Sequence, residues 1–132
     1  AWPEPMRPDA LLLITHTGDL TEAVTGGALA NLWTSPVEME KKGWTLELAR
    51  KYLAILNPGA TLALPPQRVV SVLGRRDVIL PFEGGRELTE RWCLPTENSF
   101  VWDRGHFSVP TTLIRNTAPL QRLARIVEDL KR

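Results

Sequence analysis

Two histidines stand in this chain among aspartates and arginines, and each follows a short apolar run. His106 closes VWDRGH, with Asp103 and Gly105 just before it. His16 closes LLLITH, with Asp19 just after it. A third polar cluster, Gly74-Arg75-Arg76-Asp77, ends the run RVVSVL. A carboxylate bonded to an imidazole fixes the ring tautomer and stabilises its protonated form, which is the arrangement of a general base. Asp77 and His106 are the pair that could do this. Plainer readings stand beside it: Asp77 as a turn former or partner of Arg75 or Arg76, and His106 as an ordinary hydrogen-bonded group. Asp103 is the rival acid, or else a turn former or a salt-bridge partner of Arg104. Asp19 reads first as a helix cap, and His16 as a group lining a pocket.

The elements that must carry these residues follow from the hydropathy pattern. Ala10 to Thr15 is a continuous apolar run followed by Gly18 and Asp19, the pattern of a strand buried on both faces of a parallel sheet. Asp19 and Glu22 form a capping box for a helix reaching about Leu32. From Trp33 to Pro66 the pattern changes to Ser-Pro, a charged knot (EMEKKG), and one amphipathic helix from about Thr45 to Leu56, stopped by Asn57-Pro58-Gly59. This stretch reads as an insertion. Strand character resumes over Arg68 to Leu73, a helix is expected from about Phe82 to Cys93, and Ser99 to Trp102 is a third short strand. A closing helix from Ala118 to about Lys131 carries Leu120, Leu123, Ile126, Val127 and Leu130 on one stripe, with Asn116 or Thr117 as its cap.

Strands alternating with helices predict an α/β fold, a parallel sheet of about three strands with flanking helices. In such sheets, ligands and catalytic groups gather beyond the carboxyl ends of the strands. All three polar clusters fall there, and consecutive parallel strands would bring the second and third onto one rim.

Composition narrows the function classes. The 132 residues suit one domain, and 43% hydrophobic with 23% charged residues supplies a core. The 16 basic and 15 acidic side chains are scattered, so no nucleic-acid or anionic-membrane surface is implied. No apolar run is long enough to span a bilayer, and no signal-peptide pattern opens the chain. Cys93 is the single cysteine, which rules out an internal disulfide and a cysteine-type metal site and fits a reducing cytoplasm.

Taken in order, VVSVLGRRDVILP, a helix, and a short strand ending in Gly105-His106 resemble the carboxy-terminal half of an α/β-hydrolase. In that family an acid follows a strand in a Gly-x-x-Asp-x-x-x-Pro setting, matched by Gly74, Asp77 and Pro81. The family histidine follows the last strand, often after a glycine, as His106 follows Gly105. The resemblance covers most of the chain. It makes residues 1–132 the carboxy-terminal half of a hydrolase domain, with residues 33–66 as its lid or cap. One part is missing: the nucleophile of the family lies in Gly-x-Ser-x-Gly, and none of Ser35, Ser71, Ser99 and Ser108 has that setting.

The resemblance therefore implies a serine hydrolase of esterase or lipase type acting on a small acyl substrate. This chain would supply the acid Asp77 and the base His106, and the serine would lie upstream or in another chain. By itself the chain is expected to be inactive and to associate with a complementary amino-terminal half or with itself. His16 and Trp33 are the expected substrate-binding residues, and no metal or organic cofactor is required. A non-catalytic α/β interaction domain derived from the same fold is the alternative. A nucleotide-binding fold lacks its Gly-rich phosphate loop, and a metallohydrolase built on His16, Asp19, Asp77 and His106 lacks close ligand spacing.

Overall fold

A computed structural model of the chain describes residues 7–25, 28, 36–54, 57 and 62–132. The elements are β1 (Leu11–Ile14), α1 (Leu20–Thr25), α2 (Pro36–Lys41), α3 (Leu46–Leu53), β2 (Val69–Gly74), α4 (Phe82–Arg91), β3 (Ser99–Trp102), α5 (Ser108–Leu113) and α6 (Ala118–Asp129). Short 3-10 turns at Pro66–Arg68 and Thr96–Asn98 lead into β2 and β3. The class is α/β. The three strands form one parallel sheet in the order β1-β2-β3, with Leu11 opposite Val69 and Ser71 opposite Ser99.

The central position of β2 explains its composition. Val69, Val70, Ser71, Val72 and Leu73 are all buried, because neighbouring strands cover both edges and helices cover both faces. Leu73 points to α4, where its side chain lies against Gly85. Gly74, facing the other way, lies against Val109 of α5. Helix α6 packs along β1 and β2. Strand β1 departs from expectation, since all four of its side chains are only half-buried. Among the described residues it pairs on one side alone.

Local signals account for most helix ends. Asp19 caps α1 by accepting from the Thr21 amide at 2.7 Å, and Asn57 reaches back from the insertion to accept from the Leu20 amide at 2.8 Å. Thr45 caps α3 through the Leu48 amide. Helix α4 ends in a Schellman arrangement, with Leu94 donating to Thr89 and Cys93 donating to Glu90; Cys93 takes the left-handed conformation at φ 51°. The N-cap of α6 is Thr117, whose side chain makes no cap bond, and the preceding Asn116 accepts from the Ala118 amide at 3.3 Å. The stripe of α6 is wider than the sheet it meets: Ile126 is buried, but Leu120 and Leu130 are exposed.

The first four residues of the charged knot, Glu38 to Lys41, belong to α2. Pro36 stands in its first turn, Glu38 and Lys41 sit at the ends the helix dipole favours, and Gly43 turns away from it at φ 78°. Apart from Ala28, the remainder of the expected first helix, toward Leu32, lies outside the described residues, as does the end of the helix expected to run to Leu56. No helix of the described residues is long and apolar enough to cross a membrane.

Candidate functional site

The loops after β2 and β3 meet at the carboxyl rim of the sheet, and there Asp77 and His106 are joined. His106 Nδ1 lies 2.8 Å from Asp77 Oδ2. The carboxylate is the more deeply set partner, with its side chain 2% exposed against 21% for the histidine.

Asp77 is held from both of its oxygens. Its own amide donates to the Gly74 carbonyl at 3.1 Å, closing a turn directly off the strand. Oδ1 accepts from the amides of Ile79 and Leu80, both at 2.9 Å. That leaves Oδ2 for the imidazole. Pro81 then fixes the backbone that starts α4. The turn reading and the acid reading of Asp77 are thus one geometry: the first oxygen builds the turn, and the second receives the ring.

The partner assignments at this rim resolve the alternatives. Arg76 pairs with Asp103 through two contacts, Nε to Oδ1 at 2.6 Å and Nη2 to Oδ2. Asp103, the rival acid, is therefore committed to Arg76 and not to His106, and Arg104 donates to the Asp103 carbonyl at 3.5 Å. Phe107 packs edge-on against the His106 ring, with centroids 5.2 Å apart. Because Nδ1–H donates to a carboxylate, the neutral ring carries its lone pair on Nε2. Among the described residues, Nε2 of His106 has no hydrogen-bond partner. The arrangement leaves that nitrogen available to a further hydrogen-bond partner.

His16 takes a different place. Its Nε2 lies 2.8 Å from Ser71 Oγ in the middle of β2, so its ring turns into the sheet and not toward Asp77 or His106. Burial lowers its pKa from the ordinary 6.5 to about 4, which leaves the ring neutral. Among the described residues, Nδ1 is buried without a partner. An unpartnered donor is costlier than an unpartnered lone pair, so we assign the proton to Nε2, donating to Ser71. The preceding residue, Thr15, holds φ 47°, unusual for a β-branched side chain, at the point where the chain leaves β1. Trp33 lies outside the described residues.

Among the described residues, the three serines are bonded elsewhere. Ser71 is 1% exposed and bonded to His16. Ser108 Oγ is bonded to the Gly105 amide and carbonyl, both at 3.0 Å, and Ser99 Oγ to the Pro95 carbonyl. Ser35 lies outside the described residues. Among the described residues no three histidine, cysteine, aspartate or glutamate side chains converge as a metal site would require.

Two features escaped the sequence reading. Asn98 is fully buried; its amide donates to the Gln67 and Val69 carbonyls at 3.0 and 2.9 Å, and its Oδ1 accepts from Arg122 Nε at 2.6 Å. It ties the start of β3 to β2 and α6. The second is the Arg76–Asp103 pair. Neither has a local signature, because each partner is recruited from a distant segment. Compared with protein-family models and with curated proteins, the chain finds no match.

Proposed function

We propose that this chain carries the acid and the histidine of a serine hydrolase of the α/β-hydrolase kind, acting on a carboxylic ester or similar acyl substrate. The observation that carries the reading is the buried Asp77 carboxylate bonded to His106 Nδ1 at the carboxyl rim of a parallel sheet. The order of residues supports it: strand, Gly74, Asp77, Pro81, helix, strand, Gly105, His106.

In this reading His106 Nε2 takes the proton from a serine hydroxyl as the oxygen attacks the acyl carbon, then returns it to the departing alcohol. Asp77 holds the tautomer and stabilises the positive charge the ring acquires. The serine and the amides that stabilise the oxyanion come from a complementary segment, upstream or in another chain. The half-buried edge strand β1 is where such a segment would add to the sheet, and self-association through that edge is the substitute when the complement is missing.

The test is made on the polypeptide that unites this chain with its complement. Short acyl esters should be turned over, and a fluorophosphonate probe should label one serine outside residues 1–132. His106→Ala should lower kcat by at least about 1000-fold, the scale on which losing one member of a triad acts. Undiminished turnover in that variant would overturn the assignment and leave the non-catalytic interaction domain as the reading.

A further inference from the structure

The acid and the histidine sit on separate loops, and the strands that carry them end at Gly74 and Trp102. The pairing continues beyond the strands. Arg75 donates from its amide to the Trp102 carbonyl at 2.8 Å, and Arg76 does the same to the Arg104 carbonyl at 3.0 Å. On the solvent side of this seam the Arg76 guanidinium faces the Asp103 carboxylate with two parallel contacts. Arg76 adjoins Asp77 in the chain, and Asp103 lies three residues before His106.

From this geometry we infer that Arg76 and Asp103 are a positioning pair, a bidentate clamp that fixes the loop of His106 against the loop of Asp77. The inference rests on the proposed reading of Asp77 and His106 as acid and base. A planar fork meeting a carboxylate on two bonds constrains rotation as well as distance, which a single point charge does not. Both side chains are largely exposed, 72% and 60%. An exposed ion pair contributes little to overall stability. The effect of the clamp therefore falls on the relative placement of two loops, where small displacements matter most for proton transfer.

The experiment uses the chain labelled with nitrogen-15 in its histidines, reading the tautomer of His106 and the exchange of its Nδ1 proton with water. In the unaltered chain that proton should be protected, and Asp77→Asn should abolish the protection. Arg76→Gln and Asp103→Asn should each raise the exchange rate about fivefold, the factor that corresponds to the upper end of an exposed ion pair, with little change in the denaturation midpoint. Arg76→Lys keeps the charge but loses the fork, and should raise the rate nearly as far. The charge-swapped double variant, Arg76→Asp with Asp103→Arg, should recover most of the protection. Unchanged exchange in Arg76→Gln and Arg76→Lys would overturn the clamp while leaving the acid–base pair intact. An unprotected Nδ1 proton in the unaltered chain, or protection that survives Asp77→Asn, would overturn the pair itself and the clamp with it.

Discussion

Asp77 and His16 are both polar groups drawn into the rim of the sheet, and burial treats them differently because their partners differ. Asp77 receives two amides and an imidazole, so its deeply set carboxylate is compensated. His16 donates to one hydroxyl and, among the described residues, leaves its other ring nitrogen unpartnered, so only its neutral form is tolerated there. This has a consequence for stability. The unfolded chain binds a proton at His16 as the pH falls through 6.5, whereas the folded chain resists until about 4. Stability contributed by neutral His16 is thus complete above pH 6.5 and declines as the pH falls toward 4. The full loss is of order 3 kcal/mol. Urea midpoints measured between pH 7 and 4.5 should drop accordingly, and the part of that drop due to this residue should vanish in His16→Asn. A slope that persists in the variant would assign it to other groups. The identity of the residues was legible at this scale, but their partners were not. Asp103 could have served His106 by proximity in sequence; Arg76, distant in sequence and adjacent in space, claims it instead.

At the level of elements, the glycine before Asp77 shows how a short motif acquires a physical cause. A Cβ at Gly74 would stand 2.5 Å from the Arg104 carbonyl oxygen and 2.8 Å from a Val109 methyl. Neither contact is sterically permissible, and the first is with backbone, which has little freedom to yield. Gly74 is needed so that the two loops can touch, and this contact holds the Asp77 turn beside the His106 loop. Gly74→Ala should therefore destabilise the fold by about 1–3 kcal/mol, the usual range for overpacking a close contact. A chemical-denaturation curve superimposable on that of the unaltered chain would rule this out. Gly105 is different, for a Cβ there would meet only ordinary contacts, the nearest at 3.4 Å. Apolar runs and cap residues made β2, β3, α4 and α6 readable, since these elements obey local period and local capping. Helix α2 was obscured by its charge, because a short helix with no apolar stripe carries only its end signals.

For the molecule as a whole, the sheet has one strand buried from every side and two that are not. Strand β2 is covered throughout, while β1 leaves four apolar side chains half-exposed and one edge without a partner among the described residues. Val101 on β3, with Leu120 and Leu130 on α6, adds further exposed apolar surface. Open parallel edges and uncovered apolar side chains favour association. The isolated chain is expected to elute in size-exclusion chromatography above its monomer mass of 14.8 kDa, or as a monomer only when a complementary segment is bound. A concentration-independent monomer with a single cooperative unfolding transition would count against this. The sequence by itself determined the α/β class, the order of the three strands, and the candidate pair Asp77 and His106, because periodicity, caps and turn residues act over a few neighbours. Only the tertiary structure decided that His16 serves Ser71, and that Asp77 receives His106 while Arg76 receives Asp103. Those outcomes depend on which distant segments the packed sheet brings within hydrogen-bonding reach, and no local pattern encodes that distance.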